Sequence, residues 1–203
     1  RALAVVRALA VVRALAVVRA LAVALCCAAG VAIAAGAATT PNAIQVVLAN
    51  PGFEAKPVDS VPAEGWASSV HATANAYTFE LDSDVRHAGR ASLRIRRIGS
   101  EPWGMIQQSL PAAGLTGRTL EFSAWLRTDH VEGDGAMLVV RTLANGAVGK
   151  VEFMAPAVTG SRGWKRYTMR FDVPRVGSVV EIGAMLQGPG TLWLDDAALV
   201  VMP

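Results

Sequence analysis

The feature that most constrains how this chain can fold is an alternation of apolar and polar residues with a period of two, which recurs after Ala38. In the segment 180–187 one face is apolar throughout, and it consists of Val180, Ile182, Ala184 and Leu186. Segments 120–127 and 166–173 show the same period. Strands with one buried face have this period, whereas an amphipathic helix repeats every 3.6 residues. The pattern therefore predicts β-strands.

Turn-forming residues separate these runs at short intervals. The predicted strands cover 44–48, 77–81, 92–97, 105–110, 119–128, 137–143, 148–154, 165–173, 179–188 and 192–201. Asn145-Gly146 is the strongest hairpin signal, since a type I′ turn needs a positive φ at both central residues. Gly133–Gly135 predicts a further turn. About ten short strands with polar turns and no helical period predict an all-β fold, an antiparallel β-sandwich or jelly roll.

The basic charge of the chain comes from its first 38 residues. The net charge is +3, but four of the 19 Lys and Arg residues (Arg1, Arg7, Arg13 and Arg19) lie there, so the rest carries 15 − 16 = −1. Both cysteines, Cys26 and Cys27, also lie there. The segment 39–203 is therefore expected to be one domain without disulfides or thiol chemistry, and it shows no basic stripe for nucleic acid.

The segment 1–38 has the composition of a targeting sequence. It repeats the motif RALAVV, and Ala20–Ala38 then forms an uncharged apolar run that follows Arg19 and includes Ala35-Gly36-Ala37. Small residues at such positions are typical of a signal-peptidase site. We expect an apolar leader helix that is either a cleaved secretory signal peptide or an uncleaved membrane anchor. In the first case the domain is periplasmic or secreted.

Four motifs in the segment 39–203 occur in an order known from one fold family. They are NPGFE at 50–54, DSDVRHAGRASLRI at 82–95, GWKRYTMRFDVP at 163–174 and GPGTLWLDDAALV at 188–200. In this order the chain resembles the jelly-roll carbohydrate-binding modules and their galactose-binding-domain-like relatives, including accessory domains beside esterase-like or peptidase domains. The resemblance implies a β-sandwich of this type.

The resemblance also implies a structural calcium that ties the first strand to the last. Its ligands by motif position are Glu54 and Asp195 or Asp196, with backbone carbonyls near Gly89 and Arg90. Calcium is a hard cation that takes six to eight oxygen ligands. The alternative is that Glu54 pairs with Arg90 or another arginine and that no metal binds.

Ligand-binding candidates follow from residues that lie on polar faces or in loops. Trp103 lies in a loop-like segment and Trp125 on the polar face of its strand, and an exposed indole stacks well on a sugar ring. Arg141 and Gln187 are expected on the polar faces of central strands, where they offer hydrogen bonds to sugar hydroxyls. In the alternative, a loop covers Trp125, and Arg141 pairs with Glu121 or Glu152.

Two further tryptophans, Trp66 and Trp164, each follow a glycine and are expected to pack into the core.

Enzymatic motifs are missing from the sequence. There is no G-x-S-x-G nucleophile elbow, and His71, His87 and His130 do not form an H-x-x-x-H pair. We therefore expect an exported, non-catalytic binding module for a carbohydrate or cell-envelope glycan. A structural or protein-interaction domain without a sugar site is the alternative, and a small hydrolase is the third.

Overall fold

The computed structural model describes residues 43–56 and 61–203, which belong to one compact unit. The predicted leader helix over 1–38 lies outside the described residues. Within the part that is described, no helix is long and apolar enough to cross a membrane.

Ten strands make up the described chain, and the all-β prediction is confirmed. They are β1 (Ile44–Val46), β2 (Ala67–Val70), β3 (Tyr77–Asp82), β4 (Ser92–Arg97), β5 (Gly104–Pro111), β6 (Thr119–Ala144), β7 (Ala147–Phe153), β8 (Val158–Asp172), β9 (Val179–Gln187) and β10 (Thr191–Val201). Strand β2 was missed, because its sequence ASSV has no apolar alternation.

Strand β6 is 26 residues long and takes part in two antiparallel sheets. Its first half, up to Asp129, pairs with β10, and its second half, from Gly135, pairs with β9. The predicted turn at Gly133–Gly135 is wrong, because the chain bends there without reversing. Positive φ angles of 68° at Gly133 and 89° at Gly135 allow this bend.

The first sheet has the order β3-β4-β10-β6-β8, with β1 added to the end of β10. The second sheet has the order β2-β5-β9-β6-β7. Every pairing is antiparallel. The two sheets enclose one apolar core, which is the arrangement of a β-sandwich.

The core is built from the apolar faces that the alternation predicts. The predicted inner residues Leu120, Phe122, Ala124 and Leu126 of β6 and Val180, Ile182, Ala184 and Leu186 of β9 are all buried. Burial of such side chains contributes about 1.5–3 kcal/mol each relative to exposure. This burial fixes which face of each strand points outward and therefore which residues are free to form a site.

The hairpin predicted at Asn145-Gly146 connects β6 to β7. The φ angles are 52° at Asn145 and 78° at Gly146, and both are positive, as a type I′ turn requires. This turn determines the register in which β7 forms the edge of the second sheet.

A β-bulge interrupts β10 at Asp195–Ala198, where Asp196 has a φ of 46°. Before the bulge Leu192 and Leu194 face the core, and after it Leu199 and Val201 do. The extra residue shifts the alternation by one position, which is why parity alone does not assign the two aspartates to a face.

Candidate functional site

A cleft of about 210 Å³ lies on the outer face of the second sheet. Its floor is formed by Met105 of β5, Met185 of β9 and Val139 of β6. Trp103 and Gln187 line one end, because Gly104, next to Trp103, pairs with Leu186. The cleft therefore combines an aromatic ring, an apolar floor and an amide.

Arg141 lies toward the other end of the cleft. Gln187 pairs with Gly135 and Glu181 pairs with Arg141, so the backbone positions of Gln187 and Arg141 are six residues apart along β9. At about 3.3 Å per residue these backbone positions lie roughly 20 Å apart. The structure thus brings three of the four predicted ligand-binding residues, Trp103, Arg141 and Gln187, to one elongated cleft.

Arg141 is held by a buried carboxylate. Its Nε donates to Glu181, whose other oxygen accepts from the Ser109 hydroxyl at 2.9 Å. The expected alternative partners of Arg141 are wrong, because Glu121 pairs with Arg170 and Glu152 with Lys150. Glu181 is the neighbour directly across the ladder, and ladder neighbours are identified only once strand order is known.

Trp103 is held at the rim by a short network. Its carbonyl accepts from the amide of His71 at 3.2 Å, and the His71 ring meets the indole edge-on with centroids 6.1 Å apart. The His71 ring in turn bonds Glu101 at 2.9 Å. The indole is half-buried and keeps part of its surface open to solvent.

Strand β7 forms the second wall of the cleft. Val148, Val151 and Phe153 line it and are about half exposed. These three residues were not among the predicted ligand-binding residues, although the hairpin at Asn145-Gly146 was the signal that would have placed β7 beside Arg141.

Trp125 does not belong to the cleft. It lies on the outer face of the first sheet, where the His87 ring stacks on it with centroids 3.8 Å apart and an interplanar angle of 15°. His87 belongs to the β3–β4 loop, so the alternative of a loop-covered Trp125 describes its position. Trp164 is half-buried and meets His87 edge-on at 5.9 Å, so its expected place in the core is wrong.

Phe53 and Trp66 explain why the chain carries a phenylalanine directly before Glu54. Phe53 is fully buried with a φ of 57°, and its ring lies 5.1 Å from that of Trp66. The indole nitrogen of Trp66 donates to the carbonyls of Ala49 and Asn50 at 3.0 and 3.2 Å. The expected core position of Trp66 is confirmed, and the segment around Phe53 closes one end of the sandwich.

The side chain of Glu54 points away from the buried Phe53 and binds the β3–β4 loop. Its carboxylate accepts from the backbone amide of Arg90 at 2.8 Å and from Arg90 Nε at 3.1 Å. These bonds from Arg90, with the backbone bond the largest cause, hold the pKa of Glu54 below its ordinary value. Gly89 suits this contact, since its φ is 60° and a Cβ at that position would lie 1.9 Å from the Glu54 carboxylate and displace it.

Asp195 and Asp196 bind the same loop from β10. Asp195 is 1% exposed, and its Oδ2 accepts from the amides of His87 and Ala88 at 2.9 and 3.2 Å. Burial raises the pKa of Asp195 above its ordinary value, although these amide bonds lower it. Asp196 Oδ2 lies 2.7 Å from His87 Nδ1. All three predicted metal ligands therefore contact the 87–91 segment.

In the structure the predicted metal ligands are engaged by protein groups, Glu54 by Arg90 and Asp195 by the amides of His87 and Ala88. The three groups whose ligand atoms lie within 4.8 Å of one another are His87, Asp195 and Asp196, and Glu54 is not among them. One of these ligands is a ring nitrogen, whereas calcium takes oxygen. Glu54 instead forms the ion pair with Arg90 that was the alternative. The structural calcium stays a prediction.

Several solved structures share this fold. The CBM22-1 xylan-binding domain of Paenibacillus barcinonensis Xyn10C aligns with a TM-score of 0.53 at 15% identity, over 74% of this chain and 90% of that one. The CBM22-1–GH10 modules of Clostridium thermocellum Xyn10B, complexed with xylohexaose, align with a TM-score of 0.59 at 12% identity, over 79% and 29%. TmCBM61, in complex with β-1,4-galactotriose, aligns with a TM-score of 0.50 at 18% identity, over 76% and 97%.

At these identities the likeness shows the fold, and the chain has the jelly-roll, galactose-binding-like fold of carbohydrate-binding modules. No family model matches the sequence. A curated relative is an uncharacterized HTH-type transcriptional regulator, YbfP, of Bacillus subtilis (strain 168), which is 26% identical over 140 residues. The match covers 65% of this chain and 46% of the relative, so the chain spans about half the length of the curated relative that it matches.

Proposed function

We propose that this protein is an exported, non-catalytic module that binds a carbohydrate chain in the cleft of the second sheet. The observation that carries the proposal is the convergence of Trp103, Arg141 and Gln187 on one cleft with an apolar floor. An indole face covers the apolar side of a sugar ring, and the guanidinium and amide bond its hydroxyls.

The cleft is suited to binding rather than to bond cleavage. Among its lining residues that the structure describes, no carboxylate occurs, and Glu181 behind Arg141 is already engaged. Glycoside hydrolysis uses two carboxyl groups that flank the scissile bond. The proposed activity is therefore recognition alone, and the proposed export follows from the leader.

Structural neighbours supply the first probes. Two of them are described as xylan-binding or complexed with xylohexaose, and a third is complexed with β-1,4-galactotriose. We propose to titrate the protein with xylohexaose and β-1,4-galactotriose by calorimetry and to screen a glycan array in parallel. A measurable Kd for at least one neutral oligosaccharide is expected.

Variants of the cleft connect binding to the site. Trp103→Ala should weaken binding by about 2 kcal/mol, roughly 30-fold in Kd, since buried aromatic anchors dominate such interfaces. Gln187→Ala should weaken it less. Trp164→Ala is the matched control, because it removes a half-buried indole on the other sheet. An equal loss in Trp103→Ala and Trp164→Ala, or no binding across the array, would overturn the proposal.

A protein-interaction role is the second candidate, and the apolar edge of β7 favours it. Strand β7 exposes the apolar residues Val148, Val151 and Phe153, and among the described strands it pairs only with β6. Exposed edges of this kind can pair with another chain. Phe153→Ser should abolish any self-association seen by analytical ultracentrifugation, whereas Trp103→Ala, which leaves the β7 edge intact, should not change it.

A further inference from the structure

A second concave surface lies on the outer face of the first sheet. It is a cavity of about 500 Å³, and the lining residues that matter here are Arg94, Arg96, Arg97, Asp129, His130 and Trp193. We call this surface the arginine trough. It lies on a different sheet from the cleft, so its function does not depend on the proposed carbohydrate site.

Strand register places the arginines side by side. Arg96 of β4 pairs with Thr191 of β10, and Arg94 pairs with Trp193. On the far side of β10, Trp193 pairs with Arg127 of β6, whose guanidinium lies 5.8 Å from the indole centroid. The Trp193 ring is therefore flanked by two arginines in one row across three strands.

The Trp193 indole is not a stacking platform. It is 8% exposed, and its Nε1 donates to Asp82 at 2.9 Å. A ligand in the trough would consequently meet guanidinium groups rather than an open aromatic face. This distinguishes the trough from the cleft, where Trp103 is accessible.

The cationic groups of the trough are only partly neutralised. Arg94 pairs with Glu80 and Asp82, and Arg97 Nε donates to the carbonyl of Gly99 at 2.8 Å. Within the residues that the structure describes, Arg96 and Arg127 form no ion pair.

One carboxylate, Asp129, lines the trough among the residues described, and it is already bonded to His130 at 2.8 Å and to the Ser161 hydroxyl at 3.0 Å. The segment after residue 38 has a net charge of −1, so this local excess of positive charge runs against the overall balance. A cluster of guanidinium forks in a concave surface is the arrangement that binds carboxylate and sulfate oxygens.

We propose that the arginine trough binds an acidic polysaccharide through its carboxylate or sulfate groups. Arg96 supplies a free guanidinium in the lining and Arg97 adds its terminal nitrogens. Arg127 lies beside the lining, where its guanidinium is 5.8 Å from the centroid of the Trp193 ring. The ligand is recognised by charge and by the planar fork of arginine. The protein thus has two faces of different chemistry, one for neutral sugar hydroxyls and one for anionic groups.

The test uses the full chain and measures binding to polygalacturonate and to dextran sulfate, with neutral dextran as the reference polymer, by affinity electrophoresis and calorimetry. Binding to one or both acidic polymers, but not to dextran, is expected, and the two acidic arms distinguish carboxylate from sulfate. Affinity should fall as salt rises, because surface charges are screened.

Two sets of variants assign the binding to the trough. Arg96→Gln/Arg127→Gln should weaken it about tenfold or more, since charge-assisted bonds are lost. Arg118→Gln/Arg175→Gln is the matched control, with the same change of charge at two exposed arginines away from the trough. Trp103→Ala should leave it unchanged. All of these arginines are exposed, and melting curves establish that each variant is folded.

Three results would overturn the proposal. The first is no binding to either acidic polymer. The second is an equal loss in the trough and control variants, which would indicate non-specific attraction. The third is tighter binding to duplex DNA than to both polysaccharides, which would identify a different class of partner.

Discussion

The outer faces of the two sheets differ although their inner faces are alike. Both inner faces are mainly apolar and buried. The outer face of the second sheet has an apolar floor and an ion pair between the half-buried Arg141 and the buried Glu181. The outer face of the first sheet carries several arginines beside carboxylates. The comparison shows that folding requires apolar residues on the inner faces, whereas the outer faces can differ in their chemistry.

The largest expected effect comes from removing one arginine on each face. Arg141→Ala leaves the buried Glu181 without its cationic partner and should cost about 3 kcal/mol of unfolding free energy. Arg96→Ala, in the trough, should change stability by less than about 0.5 kcal/mol, because Arg96 is exposed.

Urea unfolding of the two variants measures this difference. The double variant Arg141→Met/Glu181→Met should recover most of the loss, since apolar residues can replace a buried pair. Equal costs for Arg141→Ala and Arg96→Ala would contradict the distinction between the two faces.

A smaller expected effect is the pH dependence of stability, in which two buried carboxylates of the first sheet, Asp82 and Asp195, differ. Burial pushes the pKa of Asp82 up, but hydrogen bonds from Trp193 and two backbone amides, with the charge of Arg94, hold it below 3.8. Burial raises the pKa of Asp195 above 3.8 in spite of its amide bonds. Asp82 therefore stabilises the fold above pH 3.8, and this stabilisation is lost as the pH falls through its lowered pKa. Asp195 stabilises the fold below pH 3.8, and this stabilisation is lost as the pH rises through its raised pKa.

The variants Asp82→Asn and Asp195→Asn test the opposite directions of these two pKa shifts. Asp82→Asn should cost about 1–3 kcal/mol near neutral pH, because the Arg94 guanidinium loses one of its two charged partners. It should also flatten the acid side of a plot of unfolding free energy against pH. Asp195→Asn should instead remove a fall of the unfolding free energy as the pH rises from 3.8 through the raised pKa of Asp195. If both variants changed the slope with the same sign, the assignment of the two pKa shifts would be wrong.

The β6–β7 turn offers a more local change on the cleft side. A Cβ at Gly146 would meet no atom within 4 Å, so the cost of Gly146→Val is conformational only. A β-branched residue at positive φ should lower stability by about 1 kcal/mol or more. Gly146→Ala is the milder comparison. Denaturation curves that match the wild type would contradict the type I′ turn.

The smallest expected effect concerns the predicted calcium. Because Glu54 already pairs with Arg90, melting curves in calcium and in chelator should coincide, and Glu54→Gln should lower the melting temperature equally in both. A rise of the melting temperature with calcium that Glu54→Gln and Asp195→Asn abolish would instead support the metal predicted from the sequence.

The amino-acid sequence was sufficient to predict which strand faces are buried and where one hairpin turns. The faces of β6 and β9 and the turn at Asn145-Gly146 follow from local patterns, because alternation and backbone strain are read residue by residue. The β6 bend at Gly133–Gly135 could not be distinguished from a turn, since both use positive φ. It depends on which strands lie on either side.

Much of the site could not be predicted from local sequence patterns, because it depends on which strands are neighbours in the sheets. Arg141, Trp103 and Gln187 were identified as polar-face or loop residues, yet Glu181 became the partner of Arg141 only through strand order. The bulge at Asp195 removed the parity that would have assigned it. The arginine trough, likewise, exists only because β10 lies between β4 and β6.

The place of β10 has a consequence for how the protein is made. This strand comes after every other described strand in the chain, yet it lies between β4 and β6 in the first sheet. During synthesis on a ribosome, β3 and β4 can therefore join β6 in the first sheet only after β10 has been made. Such distant pairings slow folding to milliseconds or seconds, about the range for all-β domains. Until β10 emerges, the apolar faces of its neighbours stay open to chaperones and to other nascent chains.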